Sequence, residues 1–212
     1  RVFTVAASAG AVAAPLNAVA RMHRLDTLAL VQATLTRSAR ALDGWANEMD
    51  VLPATLSAVM GVAVTPLLQA VRRAWADRVP VGWGHGYCPV CGEWVALAEA
   101  LDLDHSRRLR CGECGSDWRG AWLRCAFCAN TDHTTLALFT PDAALATRSI
   151  ETCAVCGGYV KVLATLQAAA PEAVALLDLA TVELDIVAVE QGYARPRAPA
   201  SVLHVSVVPA RR

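Results

Sequence analysis

The chain has 212 residues, 55% of them hydrophobic, and its 19 lysines and arginines balance 19 aspartates and glutamates. That length and apolar content suffice to bury a core without covalent staples, and a net charge of zero supplies no long-range field for phosphate backbones, which disfavours a nucleic-acid binder. The balance is uneven: residues 1–79 carry 8 basic and 5 acidic groups, residues 80–160 carry 6 and 9.

Residues 2–20 are apolar and alanine-rich but hold Pro15 and Asn17, so they read as neither a membrane span nor a typical signal, with a cleaved signal core as the lesser alternative. The opening at Arg1 rather than methionine reads as a sequence with upstream residues missing. Asp26 is placed to cap a helix in which Leu28, Val31, Leu35, Ala39 and Leu42 recur at three- and four-residue steps, ending near Gly44. Thr65-Pro66 is a second start signal, followed by Leu67, Leu68, Val71 and Trp75, with Arg72, Arg73 and Arg78 toward the negative end. These apolar stripes read as core packing. The glycine-punctuated run from Pro80 to Gly86 reads as a linker, which places a boundary near residue 80.

All eight cysteines then fall within 69 residues as four Cys-x-x-Cys pairs, Cys88/Cys91, Cys111/Cys114, Cys125/Cys128 and Cys153/Cys156. A two-residue spacer lets both sulfurs of a pair point into one turn, and two such turns make a tetrathiolate site with metal–sulfur bonds of about 2.3 Å. Gly92, Gly115 and Gly157 follow three of the pairs, where the turn needs positive φ; the third pair is followed by Ala129. A disulfide framework belongs to chains too small to build a core, and a thioredoxin-like pair needs a βαβ setting. The spacers inside successive units are 19 and 24 residues, with ten between Cys114 and Cys125. Consecutive pairing closes each metal loop at the lower entropy cost, although an interleaved cross-brace remains open. Each site with a divalent metal adds a charge of −2, and the arginines at 107, 108, 110, 119 and 124 are expected to offset it.

Short strands are expected at Trp94 to Leu97, around Leu109 and at Trp118 to Leu123, and again at Thr134 to Phe139, Thr147 to Thr152 and Tyr159 to Thr165. A last helix starts at Pro171-Glu172, runs through Leu176, Leu177, Ala180, Leu184 and Val187, and stops at Gly192. The tail, with Pro196 and Pro199, reads as irregular, with a candidate strand at 202–208. The fold class is therefore α+β: a helical domain (1–80), two tandem ribbons (81–124 and 125–168), and a C-terminal helix with its tail (169–212).

His85 and His133 lie near cysteine turns that already supply four ligands each, and His23, His105 and His204 have no partner motif. Asp102, Asp104 and Asp132 read as turn or solvated residues, so no catalytic residue is assigned. Trp83, Trp94, Trp118 and Trp122 read as packing around small ribbons, with an aromatic partner patch as the alternative. The segment from Glu190 to Arg195 is the better partner candidate.

In order, Tyr87-Cys88-Pro89-Val90-Cys91-Gly92, Cys111-Gly112-Glu113-Cys114, the Trp118 segment, Arg124-Cys125-Ala126-Phe127-Cys128, Glu151-Thr152-Cys153-Ala154-Val155-Cys156-Gly157 with Tyr159-Val160-Lys161, and Glu190-Gln191-Gly192-Tyr193-Ala194-Arg195 resemble the FdhE-type formate dehydrogenase accessory proteins over residues 80–196. The resemblance implies a bacterial, cytoplasmic, chaperone-like maturation factor, not an enzyme, with a helical domain and two rubredoxin-like ribbons. It implies two metal ions per chain, iron or zinc, and a partner in the catalytic subunit of formate dehydrogenase, with Gln191, Gly192, Tyr193 and Arg195 as candidate contacts. A rubredoxin-like electron carrier, which requires iron, is the second reading, and a zinc-ribbon nucleic-acid binder is the third.

Overall fold

A computed structural model describes residues 26–101, 106–141, 147–196, 206 and 208. The alanine-rich opening at 2–20, His23, the segment with Asp102, Asp104 and His105, His204 and nearly all of the 202–208 segment lie outside the described residues. The chain divides into two compact units at Leu67/Leu68.

In the first unit, α1 (Thr27–Leu35) starts where the Asp26 carboxylate accepts from the Ala29 amide at 3.0 Å. One helix through to Gly44 is expected from the apolar steps; the structure has two, α1 and α2 (Ala39–Glu48), with Gly44 inside α2. The break is a left-handed cap at Arg37, φ 51°, where the Arg37 and Ser38 amides donate back to Thr34 and Ala33. Ser38 then caps α2 by accepting from the Ala41 amide. Asp50, φ 52°, ends α2 in the same way. The composition rule misses both, because these caps are built on Arg and Asp instead of glycine.

The next helix, α3 (Pro53–Trp75), starts twelve residues earlier than Thr65-Pro66 suggests and carries Pro66 in its interior. Pro53 sits in its first turn, where a missing N–H is no loss. Pro66 leaves the Val62 carbonyl without its helical N–H, and the neighbouring Thr65 hydroxyl donates to the Gly61 carbonyl at 3.1 Å. Leu56, Met60, Val64 and Leu68, spaced by four, are buried, while Val62 on the opposite face and Leu67, Val71 and Trp75 toward the C-terminal end are exposed. Among the described residues, Pro53–Arg78 alone is long and apolar enough to cross a bilayer, a test that core helices also pass.

The second unit is built on one six-stranded sheet. Its strands are β1 (Leu97–Leu101), β2 (Ser106–Arg110), β3 (Asp117–Arg119), β4 (Leu136–Phe139), β5 (Arg148–Cys153) and β6 (Gly158–Thr165). Each half is an antiparallel meander, and the order β3-β2-β1-β6-β5-β4 joins them through the parallel pair β1/β6, from Leu97↔Lys161 to Leu101↔Thr165. The two zinc-ribbon-like halves are thus one continuous sheet.

After a single 3-10 turn at Pro171–Ala173 come α4 (Val174–Leu179) and α5 (Val182–Glu190), in place of one helix. The interruption has a partner: the Lys161 ammonium donates to the carbonyls of Asp178 at 2.6 Å and Thr181 at 3.4 Å. Leu184 and Ala188 of α5 pack on Ile150 and Tyr159 of the sheet, with Phe139, Leu163, Val187 and Tyr193 around them. At Gly192, φ 86°, the chain turns out of α5 with the Tyr193 amide donating to the Ala188 carbonyl.

Candidate metal centres

Each half of the sheet carries its cysteines in the same places. One pair precedes the first strand of the meander, and the other forms the turn of the next hairpin: Cys111/Cys114 between β2 and β3, Cys153/Cys156 between β5 and β6. In all four turns the amide of the residue directly after the second cysteine closes onto the first cysteine: Gly92, Gly115, Ala129 and Gly157 donate to the carbonyls of Cys88, Cys111, Cys125 and Cys153 at 2.9–3.0 Å. All four closing residues have φ between 60° and 74°. Ala129 adopts this conformation despite its Cβ, at a strain of about 1–2 kcal/mol, so the missing glycine leaves the turn unchanged. Amides inside the turns point at sulfur, from Val90 to Cys88 and from Phe127 to Cys125, both at 3.4 Å.

The thiols gather as Cys88, Cys91, Cys111 and Cys114, and as Cys125, Cys128, Cys153 and Cys156, with all sulfurs of a set within 4.8 Å of one another. Cys88–Cys114 and Cys91–Cys111 stand 3.5 and 3.3 Å apart, and Cys125–Cys156 and Cys128–Cys153 stand 3.6 and 3.8 Å apart. Four sulfurs at about 2.3 Å from one ion in a tetrahedron are about 3.8 Å apart, whereas a disulfide needs about 2.05 Å. All eight cysteines are free. The donor sets therefore fit one tetrahedral ion each, and each set draws on consecutive pairs.

The crowded sulfurs perturb one another. In the first set the Cys111 thiol pulls Cys88 and Cys114 below the ordinary thiol range, and Cys111 itself is pushed well above it by Cys114. In the second set burial pushes Cys125 up. Burial also acts upward on Cys153, but the amides of Cys156 and Val155 and the Asn130 side chain outweigh it and bring that thiol down to about 7.

Three of the five arginines expected to offset the thiolate charge are paired with carboxylates. Arg107 pairs with Glu151, Arg108 with Asp117 at 2.9 Å, and Arg110 with Glu99. Glu99 and Lys161 are buried charges that sequence reasoning gave no role. The available signal was an ionisable residue inside an apolar strand, as in Leu97-Ala98-Glu99-Ala100-Leu101 and Tyr159-Val160-Lys161-Val162-Leu163. His85 stacks on Tyr87 with ring centres 5.0 Å apart, and neither it nor His133 belongs to either set. Trp118 is buried with its indole N–H on the His85 carbonyl, and Trp94 meets Phe127 edge to face, whereas Trp122 is half exposed. Of the candidate partner residues, Gln191 and Gly192 are exposed, Tyr193 packs beside α5, and Arg195 pairs with Asp178 and Asp185 at 2.9 Å.

A family model described as the FdhE C-terminal domain matches residues 123–202. A protein FdhE homolog of Aquifex aeolicus is 33% identical over 59% of this chain and 46% of its own length. Protein FdhE of Escherichia coli is 32% identical over 56% of this chain and 38% of its own length. In both cases the chain covers less than half of the relative. The crystal structure of the FdhE protein from Pseudomonas aeruginosa superposes with a TM-score of 0.63 at 25% identity, over 94% of this chain and 68% of the other.

Proposed function

From the premise that the chain belongs to the FdhE family, we propose that it is a formate dehydrogenase formation protein that binds the catalytic subunit of that enzyme and is not itself catalytic. The observation that carries this reading is the pair of four-cysteine sets at matched positions of one continuous sheet. Cys88, Cys91, Cys111 and Cys114 hold one ion, and Cys125, Cys128, Cys153 and Cys156 hold the other. Such an ion supplies rigidity if it is zinc and one-electron chemistry if it is iron. The thiolates lock the turns that space the strands, so the sheet offers a partner a fixed surface. The exposed corner at Gln191 and Gly192, anchored by Tyr193 and Arg195, is part of that surface. The work belongs in the reducing cytoplasm, where thiolates stay free.

Deleting the gene in its host is expected to lower formate oxidation while leaving the amount of catalytic subunit unchanged, and the tagged chain is expected to retain that subunit on affinity purification. Unchanged formate oxidation in the deletion strain would overturn the reading.

A further inference from the structure

The two sets share ligand type, turn geometry and place in the meander, yet they differ in exposure. In the first, Cys88, Cys91, Cys111 and Cys114 are each at most 1% exposed. In the second, Cys153 is equally buried and Cys125 nearly so, while Cys128 and Cys156 are exposed.

The cause lies at equivalent glycines. Gly115 and Gly157 each follow the second cysteine of the hairpin turn and have φ of 74° and 67°. A methyl group on Gly115 would stand 2.3 Å from the Pro171 carbonyl oxygen, so the chain near Pro171 lies directly against that turn; a methyl group on Gly157 would meet nothing within 4 Å among the described residues. The cover is also pinned. Glu99 accepts from the Ala169 amide and Arg110 donates to the Ala169 carbonyl, both at 2.8 Å, while the two side chains pair with each other in the interior. The second turn is met at its base by the Ala194 amide, which donates to the Gly157 carbonyl at 2.8 Å, but Val155, 62% exposed, and Cys156 stay open among the described residues. Its inner half is held: Phe127 donates to the Cys125 sulfur, and the Asn130 amide lies 3.7 Å from that of Cys153.

We propose that the two sites divide the labour, the first being a permanent structural centre and the second a substitution-active site open to an external soft donor, of which a thiolate is the natural class. This rests on the reading that both sets hold metal. With an ion held by the four cysteines, an incoming sulfur would donate a lone pair to form one bond as the bond from Cys128 or Cys156 broke. The displaced cysteine would leave as a thiolate, and no oxidation state would change. Cys125 and Cys153 hold throughout. At the first site the same exchange first requires the stretch at 169–171 to open, and with it the Glu99–Arg110 contacts.

The test uses the full chain carrying two zinc ions, verified by elemental analysis, and mixed with the chromophoric chelator 4-(2-pyridylazo)resorcinol. One equivalent is expected to leave at least about tenfold faster than the other. Cys156→Ser should keep one equivalent and lose the fast phase. Should that variant not fold, the wild-type loaded chain is treated with N-ethylmaleimide and its peptides are mapped by mass, with Cys128 and Cys156 expected to react before the other six. Release of both ions in a single phase, or alkylation of first-site cysteines as fast as Cys156, would overturn the division. Fewer than two ions before the chelator is added would instead contradict the metal reading on which it rests.

Discussion

Cys111→Ser is expected to destabilise the sheet unit by at least about 4 kcal/mol, the scale on which loss of a structural metal stands apart from ordinary substitutions. Cys111 is fully buried at the end of β2, and its amide donates to the Ser116 carbonyl across the turn that leads into β3. A serine hydroxyl is a poor substitute for a thiolate on a soft site. The ion would leave, and three crowded thiols would remain in a pocket closed by Pro171. The equivalent change in the open site, Cys156→Ser, is expected to cost about half as much or less, since water reaches its orphaned partners. Urea unfolding followed by fluorescence of buried Trp118 measures both. Equal costs would contradict a structural role confined to the first centre.

Lys161→Met is expected to cost about 3–5 kcal/mol, as for removal of one partner from a buried ion pair. The ammonium is completely buried on β6 and meets the carboxylates of Asp178 and Asp185, both at 2.7 Å. Arg195 joins the same two carboxylates, and the Tyr159 hydroxyl donates to Asp185 at 2.8 Å. Without Lys161, two acids face one arginine, and the carbonyls freed where α4 meets α5 lose their donor. The helices should loosen from the sheet, which limited proteolysis between residues 174 and 190 reads directly. Burial acts upward on the Asp178 carboxyl, but Arg195 first and Lys161 next outweigh it and hold the group below its usual value. A depressed folded pKa contributes stability that is present above the unfolded value of about 3.9 and lost as pH falls toward the folded one. The variant should therefore show a smaller acid-side loss below about pH 4 than the wild type. Unchanged denaturation and an unchanged acid limb would show that the cluster does not hold the helices.

What could be read in the sequence was what local spacing determines. Four Cys-x-x-Cys turns close through bonds between near neighbours, so their existence and their consecutive grouping were accessible before any coordinates. The strands were found but displaced by a few residues, as with β1, which begins at Leu97 where the reading ended. The joining of the two meanders was not accessible, because β1 and β6 pair in parallel across more than sixty residues and nothing in either strand names the other. Helix ends failed where unusual residues took the left-handed cap, at Arg37 and Asp50, and Thr65-Pro66 misled because the helix runs through Pro66 in its interior. Burial of the first set was likewise hidden, since its cover comes from Pro171, well beyond its last cysteine.

The proposed role depends on the eight thiols acting as two tetrathiolate centres. Elemental analysis of the folded chain, prepared anaerobically and without added metal, tests this most directly, and the electronic spectrum of the same sample separates iron from zinc. The predicted result is two ions of iron or zinc per chain; a folded chain holding one ion, or none, would contradict it.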